Sequence, residues 1–106
     1  MLSSIYRLPS VEISPLLRKG ARLRVGGIEL VYKATAHIPK FAFIVSTKID
    51  KRAVGRNRMK RQIREAVQHL MPTIQTGIDG IFLVRGKIPD SEAQVETIIR
   101  DILRKI

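Results

Sequence analysis

Eight cations crowd the seventeen residues from Lys48 to Arg64: Lys48, Lys51, Arg52, Arg56, Arg58, Lys60, Arg61 and Arg64, with Asp50 and no other acid among them. Side chains of this kind bind phosphate. Arginine outnumbers lysine by five to three, and a planar guanidinium donates paired hydrogen bonds to phosphate and stacks on bases. About two-thirds of the net charge of +11 sits in this stretch, a concentration that repels itself unless a polyanion relieves it. A solvated helix face is the alternative reading of such a run, with Arg61 and Glu65 spaced as an i, i+4 pair worth a few tenths of a kcal/mol. One acid does not balance the rest.

A helix must display these charges. On a helical wheel Met59, Ile63, Ala66, Val67 and Leu70 fall within an arc of about 100°, the width of a core-facing stripe. Arg58, Arg61 and Glu65 point the opposite way, Asn57, Arg64 and Gln68 occupy one shoulder, and Lys60 flanks the stripe. Arg56, Arg58 and Lys60 crowd the expected helix start, where the macrodipole disfavours cations and free N–H groups favour a phosphate. Asn57 serves equally as the helix N-cap or as an RNA contact, and its side chain and backbone could divide the two roles.

Other chemistries lack their residues. The chain has no cysteine, and His37 and His69 have no ligand-spaced neighbour, so a zinc site or Cys/His catalysis is excluded. Asp50, Glu65 and Asp79 lack the clustering needed to hold a pair of metals for phosphodiester hydrolysis. No apolar run approaches the roughly 18 residues of a membrane span, and "MLSSIYRLPS" has no signal-peptide core. Nucleic acid is the leading partner class, no membrane is involved, and the cytoplasm is the expected location.

The supporting elements are those of one domain over residues 1–106, with 44% hydrophobic and 27% charged residues. Ile13, Leu16 and Leu17 suggest a short helix from Val11 to Lys19, stopped by Gly20. Ile28–Ala36 and Phe41–Thr47 read as strands forming an antiparallel hairpin, and Ile81–Arg85 as a buried strand. Phe41 and Phe43 alternate onto one strand face and are expected in the core. Ser91 and Gln94 have capping-box spacing ahead of a helix carrying Val95, Ile98, Ile99, Ile102, Leu103 and Ile106. The order α-β-β-α-β-α predicts a small two-layer α/β (α+β) sandwich, a mixed sheet of about four strands packed by helices.

The stretch "VSTKIDKRAVGRNRMKRQIREAV", Val45–Val67, resembles the signature of the bacterial ribonuclease P protein subunit. It carries Ser46 and Lys48 at a strand end, a basic bend, the Arg56-Asn57-Arg58 triplet, then Lys60, Arg61, Arg64 and Glu65. The element order on either side agrees, so the resemblance covers essentially the whole chain. It implies a left-handed β-α-β crossover, against the right-handed rule for parallel connections. It also implies a protein, monomeric in a one-to-one ribonucleoprotein, that binds a catalytic RNA and the 5′ leader of precursor tRNA. The RNA then cleaves with Mg2+ held by RNA and substrate.

Carried over residue by residue, the resemblance assigns Arg52, Arg56, Asn57, Arg58, Lys60, Arg61 and Arg64 to the catalytic RNA. It assigns Ile13, Leu17, Tyr32 and Lys48 to the leader. Ile13 and Leu17 stand where the family usually has aromatics, and Tyr32 matches a cleft aromatic if the preceding loop gains one residue. From the residues alone, core packing is the favoured reading of Ile13 and Leu17. A ribosomal-type structural RNA-binding protein is the rival reading, and RNA co-purification separates the two. A DNA or membrane module lacks a helix-turn-helix pattern and an exposed amphipathic face.

Overall fold

A computed structural model describes residues 4–75 and 77–106. Helix α1 (Ile13–Lys19) leads into strands β1 (Ala21–Val25), β2 (Ile28–Ala34) and β3 (Lys40–Ile44). Helix α2 (Ala53–Leu70), strand β4 (Ile78–Val84) and helix α3 (Glu92–Arg104) follow. The four strands form one mixed sheet in the order β1-β2-β4-β3, in which β3 runs parallel to β4 and the other pairs are antiparallel.

Core residues divide by strand alternation. Ile28, Leu30, Phe41, Ile78, Phe82 and Val84 meet Ile63, Ala66, Val67 and Leu70 of α2 and Val95, Ile99 and Ile102 of α3. Sheet, α2 and α3 make the sandwich. The reverse face is covered by α1 and by Leu8, with Leu16 packed on Val31, Ile81 and Leu83. Phe43 and Phe82 stack with centroids 6.0 Å apart, and Phe41 lies 5.6 Å from Phe82, so both β3 aromatics share one face, as their alternation predicts, and that face is the α2 side.

Three expectations are corrected by pairing and boundaries. β2 and β3 are not a hairpin, because β4 lies between them and the hairpin partner of β2 is β1. β1, "ARLRV", hides as a strand because half of its alternation is arginine: Leu23 and Val25 face the core while Arg22 and Arg24 face out. β4 begins at Ile78 and buries Asp79 to 1% exposure, with Lys33 and Lys40 as its register partners on the flanking strands. Lys33 Nζ lies 4.0 Å and His37 Nε2 3.8 Å from that carboxylate.

Both expected helix caps differ as well. α2 starts at Ala53 with Arg52 as its N-cap, so Asn57 is an interior helical residue, and Arg58 and Lys60 lie beyond the first turn. Ser91 is the N-cap of α3 in extended conformation, but its hydroxyl makes no capping hydrogen bond. Its carbonyl instead accepts from the Val95 N–H at 3.1 Å. Among the described residues no ion pair joins Arg61 to Glu65.

Candidate nucleic-acid interface

The bend before α2 is built on Asp50. Its Oδ1 accepts the Arg52 backbone N–H at 2.9 Å, and its two oxygens accept the Arg52 guanidinium at 3.3 Å each. The hydrogen-bonded Arg52 side chain holds the Asp50 carboxyl below its ordinary value near 3.8, and Asp50 in turn raises the Arg52 guanidinium. Gly55 makes room for this: a Cβ there would sit 1.9 Å from Asp50 Oδ2. Arg56 closes the bend by donating to the carbonyls of Asp50 at 3.1 Å and Lys51 at 2.8 Å. The acid of the basic stretch thus shapes the chain rather than neutralising the helix.

Along α2 the buried stripe of Ile63, Ala66, Val67 and Leu70, with Met59 packed beside it, fixes the rotation of the helix. One flank is tied to α3 and the segment before it. Arg58 reaches Asp90 at 3.7 Å, Gln62 donates to the Asp90 carbonyl at 3.3 Å, and His69 meets Glu96, which also accepts from Arg100 at 3.1 Å. The other flank, toward the β3 edge, carries Asn57, Lys60, Arg61 and Arg64. Among the described residues none of these three cations has a carboxylate within salt-bridge distance. Arg64 instead lies over the Phe43 ring, 5.7 Å from its centroid, a contact that orients a guanidinium while leaving its donors available.

A groove of about 450 Å³ opens between the bend, the first half of α2 and the β4–α3 connection. Lys48, Arg52, Arg58 and Lys87 line it, against Asp50 and Asp90. It lies beyond the C-terminal ends of the parallel β3–β4 pair, a common position for ligands in sheets of this type. Lys48 is exposed and joins this end of the interface.

The expected leader residues are not brought together. Ile13 and Leu17, both partly buried, pack on the reverse face beside Ala42 and Ile44. Tyr32 packs against the α2–α3 core on the opposite face, because consecutive strand residues alternate and its neighbours Val31 and Lys33 take the α1 side. One residue of register decides this. Arg22, Arg24, Arg85 and Lys87 were not singled out from the sequence, although the alternation of "ARLRV" carried the signal for the first two.

Four carboxylates have their contacts away from this flank. Glu29 lies between Arg22 and Arg85, Asp50 binds Arg52, Asp79 faces Lys33 and His37, and Glu96 holds His69 and Arg100. Among the described residues no group of three or more His, Cys, Asp or Glu side chains could hold a metal ion. No helix among them is long and apolar enough to cross a membrane.

Comparison with known proteins agrees with this geometry. A ribonuclease P protein component from Rippkaea orientalis is 41% identical over 63 residues, covering 59% of this chain and 48% of that protein. Another, from Xanthomonas oryzae, is 51% identical over 48 residues, 45% of this chain and 32% of its own length. The matched stretches span about half or less of these two relatives. The ribonuclease P protein of Thermotoga maritima superposes with a TM-score of 0.85 at 20% identity, covering 94% of this chain and 96% of that one. The Staphylococcus aureus protein gives 0.78 at 21% identity, with 94% of each chain covered; both show a shared fold. Residues 7–106 match the ribonuclease P family profile, and the chain belongs to that family.

Proposed function

We propose that this chain is the RNA-binding protein subunit of a ribonuclease P holoenzyme that removes the 5′ leader of precursor tRNA. The observation that carries this reading is the flank of Asn57, Lys60, Arg61 and Arg64, held by the Ile63–Leu70 stripe without carboxylates to neutralise it. Phosphates of the catalytic RNA supply the missing charge, while Arg52, Arg56 and Arg58 order the bend that presents this helix. The face beside Ile13 and Leu17, bordered by Lys48, takes the single-stranded leader. Tyr32, on the other side of the sheet, is left out of that contact.

Hydrolysis belongs to the RNA in this proposal, with Mg2+ held by RNA and substrate, since the carboxylates described above do not suit a protein metal site. No step of the reaction is assigned to a metal bound by this chain. The protein acts as a monomer in a one-to-one ribonucleoprotein of the cytoplasm, lowering backbone repulsion and positioning the leader. The test is cleavage of a 5′-labelled precursor by protein alone, catalytic RNA alone and both, across a magnesium series. The protein should raise cleavage most at low magnesium and be partly replaced by high magnesium. Leader removal by RNA-free protein, or a gain independent of magnesium, sinks the proposal.

A further inference from the structure

Three arginines gather on the α1 side of the sheet, away from α2. Arg22 and Arg24 of β1 stand in register with Val31 and Glu29 of β2, so all four side chains share that face. Arg85 follows β4 at the same end of the sheet. One oxygen of the Glu29 carboxylate, only 14% exposed, accepts from Arg22 Nη1 at 3.0 Å and from Arg85 Nε at 2.9 Å, with Arg85 Nη2 also at ion-pair distance, 2.9 Å. Arg22 Nη2 also donates to the Leu17 carbonyl at 2.7 Å, in the last turn of α1, where the helix dipole favours a cation.

The backbone fixes this arrangement. The β1–β2 turn is Gly26–Gly27, with Gly26 at a φ of 58°, and a Cβ on Gly27 would fall 2.4 Å from the Lys87 carbonyl oxygen. The Gly27 carbonyl accepts the Arg85 N–H at 2.7 Å. The hairpin turn is therefore clamped to the end of β4, and Arg24, whose Nε donates to the Gly26 carbonyl at 3.0 Å, is held beside Arg85. One carboxylate serves two guanidiniums, and the third, Arg24, is held by a carbonyl, so the group retains an excess of positive charge. Arg22 and Arg85 are still 44% and 43% exposed. Their heads are held in place before any ligand arrives, which lowers the ordering cost of binding.

The neighbourhood is continuous with the interface already described. Gly86 and Lys87, directly after Arg85, line the groove that also holds Lys48 and Arg58. Val31, Ile81 and Leu83 of the same sheet face are buried beneath α1 and Leu8, which anchors the helix beside these arginines. Cations thus run from α2 around the C-terminal end of the β3–β4 pair and onto the reverse face.

We propose that Arg22, Arg24 and Arg85, organised by Glu29, form a second phosphate-binding subsite for the sugar-phosphate backbone of an RNA strand continuing around the sheet from α2. The inference rests on the RNA-binding reading above and extends it along the α1 side of the sheet, from the surface beside Ile13 and Leu17 to the β1 edge. The bound phosphates come either from the precursor's single-stranded 5′ segment or from the catalytic RNA.

The test compares the double variant Arg24→Gln, Arg85→Gln with the ridge variant Arg61→Ala, Arg64→Ala. Salt-dependent binding is measured with the catalytic RNA alone, with precursor tRNA bearing a leader, and with mature tRNA. The double variant should lower the salt slope by about one to two, roughly one for each phosphate no longer neutralised. A weakening confined to the leader-bearing precursor names the leader as the source; a weakening with the catalytic RNA names that RNA. If only the ridge variant weakens binding, the second subsite is overturned and the α2 reading stands. If neither does, both fall. A readout independent of folding is the Arg85 Nε–H resonance of the unaltered protein, titrated with a short single-stranded oligoribonucleotide: a shift is expected, and no change at saturation overturns the subsite.

Discussion

The guanidinium of Arg64 rests on the ring of Phe43, which itself stacks on Phe82 in the core. A partly buried cation of α2 is thereby connected to the sheet through two aromatic rings. Replacing Phe43 with Leu removes both ring interactions, at an expected cost of about 1–2.5 kcal/mol in denaturant unfolding. It should also weaken catalytic-RNA binding severalfold while leaving the charge unchanged. Unchanged affinity with the expected stability loss would show that Arg64 does not need its platform.

Arg61 has no such attachment. Arg61→Ala should alter stability by no more than about 0.5 kcal/mol and reduce the salt slope of RNA binding by about one. The intact protein, neutralising about six to eight phosphates, should show a slope near −5 to −7. A slope shallower than about −2 would place the binding surface elsewhere.

Asp50 links the bend to acid. Its carboxyl is lowered in the folded chain by Arg52, so folding favours the ionised form. The stabilisation is fully present above the unfolded-state value and is lost as pH falls through the lower folded-state value. Arg52→Ala should therefore lower stability slightly at neutral pH and flatten its dependence on pH below about 4. Urea unfolding at a series of acidic pH values tests this, and parallel curves for both proteins would contradict it.

Ile63 anchors the basic helix from beneath, at 1% exposure. Ile63→Ala should cost about 2–5 kcal/mol, and RNA affinity at 25 °C should fall only as far as the folded fraction falls. A binding loss in excess of the unfolded fraction, measured by circular dichroism on the same sample, would mean that the rest of the stripe does not hold the rotation of the helix without Ile63.

Much of this was legible where one period dominates. The apolar positions of α2 and α3 recur at helical spacing, so their buried faces follow from the sequence, as does the common face of Phe41 and Phe43. Strand neighbours were not legible, because the apolar runs of β2 and β3 say nothing about a third strand entering between them from forty residues away. β1 was hidden by arginines that its outer face tolerates. Asn57 looked like a cap because asparagine favours that position, whereas the Asp50–Gly55 contact moves the helix start upstream. Tyr32 was misplaced by one step of register, enough to send it through the sheet.

The central place of β4 also governs how the chain comes into being. β4 leaves a ribosome after β1, β2, β3 and α2, yet it pairs with both β2 and β3. Until Ile78–Val84 emerges, the β1–β2 hairpin and β3 have exposed edges, and α2 has no completed sheet to bury its stripe. Such non-local pairing slows folding and leaves sticky edges open meanwhile. The basic ridge of α2 therefore gains its final shape late in synthesis, and a nascent chain lacking β4 is a flexible polycation rather than a shaped surface.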